Sequence, residues 1–220
     1  MRSTDRAGNV SRMEKTGLVA VIRAESPVQL VDVCKALVDG GVDVCEITMS
    51  TPGALRVIEE AAAVLGDQCL IGVGTVLDAE TARAAILAGA QFVVAPTLNL
   101  QVIEMAHRYA KPVIPGALTP TEILCAWQAG ADMVKVFPAN HFGPQYFKDL
   151  LAPMPQLKLT PTGGVNLETA AKWIRAGASC LGVGSAMVKS DLIKSKDWAG
   201  MADLAKQFRR AVETGRTHNG

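Results

Sequence analysis

One pattern recurs along this chain and leaves few folds open: a short run rich in Val, Ile and Leu, an amphipathic segment, then a stop built of small residues around a glycine. The stops read Asp39-Gly40-Gly41, Ala88-Gly89-Ala90, Gln128-Ala129-Gly130-Ala131 and Arg175-Ala176-Gly177-Ala178. Each fits a helix that ends on a left-handed glycine before the next strand begins. Eight strands are predicted, over residues 18–23, 42–48, 69–75, 92–96, 113–117, 133–138, 158–164 and 180–185. Several are apolar almost throughout, as parallel strands buried on both faces must be. Eight β-then-α units with right-handed crossovers close most naturally into an α/β fold of the (β/α)8 TIM-barrel type, in a single domain. The competitor is a doubly wound open sheet, which would carry a GxGxxG turn after its first strand. Here that strand runs into Ala24-Glu25-Ser26-Pro27, with no glycine at all.

Helix starts are marked by hydroxyl and amide caps. Ser26-Pro27, Thr51-Pro52 and Thr119-Pro120 each set a cap before a proline at the first helical position, and Asp78, Asn99 and Asn166 are further caps. Thr119 with Glu122, and Ser11 with Glu14, fit capping boxes. The division expected is an N-terminal extension over 1–17, with a short capping helix from Ser11, a barrel over 18–216, and a frayed tail over 217–220.

Composition removes several functions. Twenty-two Lys and Arg face twenty-one Asp and Glu, a net charge of +1, which leaves no excess field to grip a phosphate backbone. No nucleic-acid partner is therefore expected. No apolar run approaches the roughly 20 residues that cross a bilayer, so no membrane role is expected either. The first dozen residues are polar and lack the apolar segment of a secretion signal, which predicts a cytoplasmic protein. Five cysteines without a CxxC pair read as reduced thiols, with Cys45, Cys69 and Cys180 in apolar runs. His107, His141 and His218 are scattered and match no metal-ligand spacing, so no metal is expected.

In such a barrel the chemistry sits at the carboxyl ends of the strands. Lys135 is the sharpest signal there, because it interrupts the apolar run Met133-Val134-Lys135-Val136-Phe137. Burying an unpaired ammonium is costly, and a neutral amine is what attacks a ketone to form a Schiff base. The other reading of Lys135 is half of a buried ion pair with Glu46. Glu46 shares one strand face with Val44 and Thr48, and a carboxylate beside an amine can pass protons as an imine forms and collapses. Lys158 opens its strand, and so belongs to the opposite, stabilising face. The seventh and eighth strands end in Thr162-Gly163-Gly164 and Gly184-Ser185, where this fold frequently holds a phosphate on backbone N–H groups.

Taken in order, several motifs resemble the family of 2-dehydro-3-deoxy-6-phosphogluconate aldolase and 4-hydroxy-2-oxoglutarate aldolase. They are Gly40-Gly41 with Glu46-Ile47-Thr48, then Gly72-Val73-Gly74-Thr75-Val76, Pro115-Gly116, Val134-Lys135-Val136-Phe137-Pro138-Ala139 and Pro161-Thr162-Gly163-Gly164-Val165. The resemblance spans about residues 18–189. It implies a class I aldolase without metal or organic cofactor, in which Lys135 forms the Schiff base. Glu46 would take the C4 hydroxyl proton through a bridging water as the C3–C4 bond breaks. The substrate implied is a 2-keto-3-deoxy sugar acid phosphate, and the products are pyruvate and glyceraldehyde 3-phosphate. Cleavage of 4-hydroxy-2-oxoglutarate to pyruvate and glyoxylate belongs to the same family. Thr75 and Pro96 would line the pyruvate pocket, Phe137 would pack beside the imine, and Gly163, Gly164 and Ser185 would hold the phosphate. A homotrimer is implied as well.

The sequence departs from the family at one place. Many relatives carry an arginine for the pyruvate carboxylate where this chain has Ser50, within Thr48-Met49-Ser50-Thr51. Arg23, at the end of the neighbouring strand, is the expected substitute, since a guanidinium matches a carboxylate bidentately. The alternative is a surface pair of Arg23 with Glu25. The departure leaves the galactonate analogue open as substrate. Two other functions stay open: a phosphate-binding barrel isomerase or epimerase with Glu46 as base, and a non-catalytic sugar-phosphate binder.

Overall fold

The computed structural model describes residues 6–217. The strands are β1 (Leu18–Ile22), β2 (Val44–Thr48), β3 (Leu70–Gly74), β4 (Val93–Val94), β5 (Val113–Ile114), β6 (Gly116–Ala117), β7 (Val134–Val136), β8 (Leu159–Pro161) and β9 (Leu181–Val183). The helices are α1 (Arg6–Thr16), α2 (Leu30–Asp39), α3 (Ala54–Leu65), α4 (Ala79–Leu87), α5 (Leu100–Arg108), α6 (Pro120–Gln128), α7 (Gly143–Leu151), α8 (Leu167–Arg175), α9 (Ser190–Ser195) and α10 (Trp198–Thr217). All strand pairs are parallel, in the orders β5-β4-β3-β2-β1-β9 and β6-β7-β8. Single bridges, Leu159 to Ala178 and Thr162 to Gly182, tie β8 to the β9 segment.

The strand predicted over 113–117 is divided in two. Pro115 has no N–H to give to a ladder, so pairing stops there. Its carbonyl still accepts from Lys135 N at 2.9 Å, and Gly116 N turns to Thr97 O at 3.3 Å. The ladder is therefore a curled parallel sheet in two segments, not an unbroken ring of eight strands.

Alternation along each strand separates two apolar layers. Cys45, Ile47, Val134 and Val136 face outward into the large core beneath the helices. Val44, Leu70, Phe92, Val94, Ile114, Met133 and Cys180 face inward, with Val10 and Met13 of α1 packed against them. By period two, Glu46 and Thr48 follow Val44, and Lys135 follows Met133, onto the inner face.

α1 closes the amino ends of the strands. Its start corrects the expectation of a cap at Ser11: the chain is already helical at Arg6, and Ser11 lies inside the helix. The caps at Asp78, Asn99, Asn166 and Thr119 form, the last as a full capping box. Those at Ser26 and Thr51 do not, because α2 and α3 begin later, at left-handed Gln29 and Gly53. Ser26 instead accepts from Val28 N, while buried Thr51 accepts from Ala24 N at 3.3 Å. Gly41, Gly89, Gly130 and Gly177 all take positive φ at the helix stops. Thr217 still belongs to α10, and the rest of the predicted tail, with His218, lies outside the described residues.

Candidate active site

The inner face of the sheet is apolar at the amino ends of the strands and polar at their carboxyl ends. Lys135 sits between Gly116 and Thr160 in register, and it is 7% exposed. Its Nζ lies 5.0 Å from the centroid of the Phe137 ring, and it makes no ion pair or hydrogen bond among the described residues. The buried Lys135–Glu46 ion pair is thus not formed as a direct contact. Phe137 itself is 39% exposed, so its ring stands between the amine and the mouth of the site.

Glu46 is buried, and its Oε1 has no hydrogen-bond partner. Burial pushes its carboxyl above the usual range, against the nearby positive charges of Lys135 and then Arg23. A carboxyl that holds its proton more tightly than usual, near an unpaired amine, suits proton transfer better than a fixed ion pair does. Directly beyond it, Thr48 Oγ1 shares a hydrogen bond with Ser50 Oγ at 2.9 Å and approaches Thr51 Oγ1 at 3.4 Å.

Arg23, Phe137, Thr162, Gly163, Gly164, Gly184 and Ser185 line one cavity of about 320 Å³; Lys135 and Glu46 do not line it, and Phe137, the ring next to the amine, links the two. Gly163 and Gly164 have φ of 90° and 75°, a reversal that non-glycine residues resist. Their N–H groups, and those of Ser185 and Ala186, donate to no acceptor among the described residues. Met187 N and Val188 N both bond Gly184 O, so Ser185 and Ala186 open a single helical turn with their N–H groups free. Four free donors around a concave pocket suit an anion with several oxygens.

Arg23 is exposed, forms no ion pair with Glu25, and also lines a second cavity of about 740 Å³ together with Ser50. Thr75 and Pro96 do not line the 320 Å³ cavity; both are half-buried at the ends of their strands. Thr75 has φ of 59°, and a β-branched residue there costs about 1–3 kcal/mol, a strain that collects at functional sites. Asn140 was not singled out from the sequence. It packs against Gly164, whose added Cβ would lie 2.5 Å from Asn140 Cβ. Nothing in the run Ala139-Asn140-His141 signals that contact, which arises between two loops distant in the chain. Among the described residues no group of three or more His, Cys, Asp or Glu is arranged to hold a metal ion. Among the described residues no helix is long and apolar enough to cross a membrane.

A family model described as KDPG and KHG aldolase matches residues 10–204. The chain is 36% identical over 200 residues to 2-dehydro-3-deoxy-6-phosphogalactonate aldolase of Escherichia coli strain K12, spanning 90% of this chain and 98% of that one. It is 34% identical over 204 residues to 2-dehydro-3-deoxy-phosphogluconate aldolase of Treponema pallidum strain Nichols, at 91% and 95% coverage. A solved structure of KDPG aldolase from Legionella pneumophila holds pyruvate captured at low pH as a covalent carbinolamine intermediate. It matches with a TM-score of 0.84 and 26% identity, over 93% of this chain and 98% of that one.

Proposed function

This chain belongs to the KDPG and KHG aldolase family, class I aldolases and hence lyases, and from that premise we propose that Lys135 is its nucleophile. The observation that carries the proposal is a buried amine without a carboxylate partner, set against an aromatic ring that also lines a pocket of free backbone donors.

Lys135 Nζ adds to the C2 ketone of a 2-dehydro-3-deoxy-6-phospho sugar acid, and loss of water gives the iminium. Electrons of the breaking C3–C4 bond flow into that iminium, while Glu46 takes the C4 hydroxyl proton through a water. Glyceraldehyde 3-phosphate leaves, the enamine is reprotonated at C3, and hydrolysis releases pyruvate and the free lysine. No metal or organic cofactor enters these steps. Gly163, Gly164, Gly184 and Ser185, with the Thr162 hydroxyl, hold the 6-phosphate. Thr75 and Pro96 border the pyruvate portion, and Phe137 shields the imine. Arg23 takes the substrate carboxylate, a reading supported by its sharing a cavity with Ser50. The two sheet segments complete a closed (β/α)8 barrel. The working form is a cytoplasmic homotrimer, for which exposed Leu77, Leu100 and Phe142 offer apolar contact surface.

Gluconate and galactonate substrates differ only at C4, and both families of relative are near 35% identity, so a substrate panel is the test. Pyruvate release is measured with each epimer, with and without the phosphate. The proposal expects cleavage of at least one phosphorylated epimer, with KM lower by about 10-fold or more than for its unphosphorylated form, as lost charge-assisted hydrogen bonds imply. No cleavage of either epimer would contradict it.

A further inference from the structure

Four strand glycines have no positive φ, so backbone freedom does not explain them: Gly72, Gly74, Gly116 and Gly182. At Gly116 the Pro96 backbone occupies the vacated position, and at the other three a side chain from a neighbouring segment of the sheet does. An added Cβ would fall into the ring of Phe92 at Gly72, onto the Glu46 carboxyl at Gly74, and onto the Thr162 hydroxyl at Gly182.

Gly74 bears on the chemistry. The three heavy atoms nearest its absent Cβ all belong to Glu46: Oε1, Cδ, and Cγ at 2.7 Å. In register Glu46 pairs with Gly72, and Gly74 lies two residues further along β3. The acid therefore leans along the strand toward the carboxyl ends of the sheet, where Lys135 and Phe137 lie. Hydrogen bonds normally fix a buried carboxylate, yet Glu46 has none among the described residues. Its direction is set by packing and by the nearby charges of Lys135 and Arg23, without a hydrogen bond.

We propose that Gly74 is a positioning residue for the aldol cleavage: its bare Cα is the slot that holds the Glu46 carboxyl in reach of the reacting proton. This rests on the roles of Lys135 and Glu46 given above. Imine formation with pyruvate needs Lys135, whereas exchange of the pyruvate methyl protons with deuterium oxide also needs the base, so the two readouts separate the slot from the nucleophile.

In Gly74→Ala, borohydride trapping of pyruvate on Lys135 stays within about threefold of the parent, while methyl exchange followed by NMR falls about 100-fold, as loss of a placed base does. In a Glu46→Gln background, adding Gly74→Ala costs less than about twofold more, because the two changes remove one interaction. If Gly74→Ala fails to fold, Glu46→Ala in the same chain restores folding by removing the obstructing atoms. Unchanged exchange in Gly74→Ala would overturn the proposal. So would an equal loss of trapping and exchange, a multiplicative loss in the double variant, or a Gly74→Ala chain that Glu46→Ala leaves unfolded. A parent protein that traps no pyruvate would instead sink the aldolase reading, and the slot's role in it.

Discussion

The two ends of the sheet treat polar groups in opposite ways. At the amino ends, charges are matched: Arg12 pairs with Asp43 at 2.7 Å, Arg6 with Asp132 at 2.8 Å, and Lys158 with Glu14 at 2.8 Å. Arg209 and Arg216 cap the last carbonyls of α1, at Thr16 and Glu14, and Thr16 bonds Asp43. Beneath them Met13 is fully buried in the inner layer. At the carboxyl ends, by contrast, Lys135, Arg23, Glu46 Oε1 and four backbone donors go without partners, and Thr75 holds a strained backbone. The buried ones among them, Lys135 and the Glu46 carboxyl, destabilise the folded chain until a ligand meets them. One end holds the fold, and the other carries the unpartnered groups on which the proposed chemistry rests.

That contrast can be attacked from either end. The largest expected effect is at Glu46. Glu46→Gln lowers the cleavage rate by about 10²- to 10⁴-fold, as removal of a general base does. The same change raises Tm at neutral pH. Burial holds the Glu46 carboxyl above the usual range, so the folded chain keeps that proton to higher pH than the unfolded one. Stability therefore falls as pH rises through the window between the two values, and Glu46→Gln removes that loss. Activity rises through the same window as the base ionises. Calorimetry at acid and neutral pH, beside a pH–rate profile, checks both signs; a Tm unchanged or lowered at neutral pH would count against an unsatisfied acid.

The opposite end should lose stability and keep chemistry. Met13→Ala removes a fully buried side chain and costs about 2–5 kcal/mol in denaturant unfolding, with kcat and KM of the remaining folded enzyme unchanged. Smaller in effect is Gly164→Ala, which sets a Cβ against Asn140 at a φ of 75°. KM for the phosphorylated substrate should rise about 10-fold, the equivalent of one weakened charge-assisted hydrogen bond. An equal rise for the unphosphorylated acid would break the assignment of that loop to phosphate. Least of all is Arg12→Ala, worth about 1 kcal/mol or less for a partly exposed pair, and nothing in activity.

The end-to-end contrast was itself partly legible in the sequence. Lys135 stands out because nothing else polar interrupts that strand, and position alone places Lys158 at the stabilising end. Glycine stops announced the helix ends, since φ at such a stop is a local property. Where local signals competed with packing, they failed. Thr51 resembles a helix cap, but it is buried and its hydroxyl holds Ala24 N instead. The apolar run over 113–117 suggests one strand, but the missing N–H of Pro115 divides it. Gly74 carried no visible signal as a slot, because the side chain that fills it comes from another strand.

The central claim is that Lys135 is a nucleophile. Incubation with pyruvate and sodium borohydride, followed by peptide mass spectrometry, measures this directly. The account predicts a stable secondary-amine adduct of pyruvate on the peptide containing Lys135 and none in Lys135→Ala. An adduct on another lysine, or no adduct in the parent chain, would contradict it.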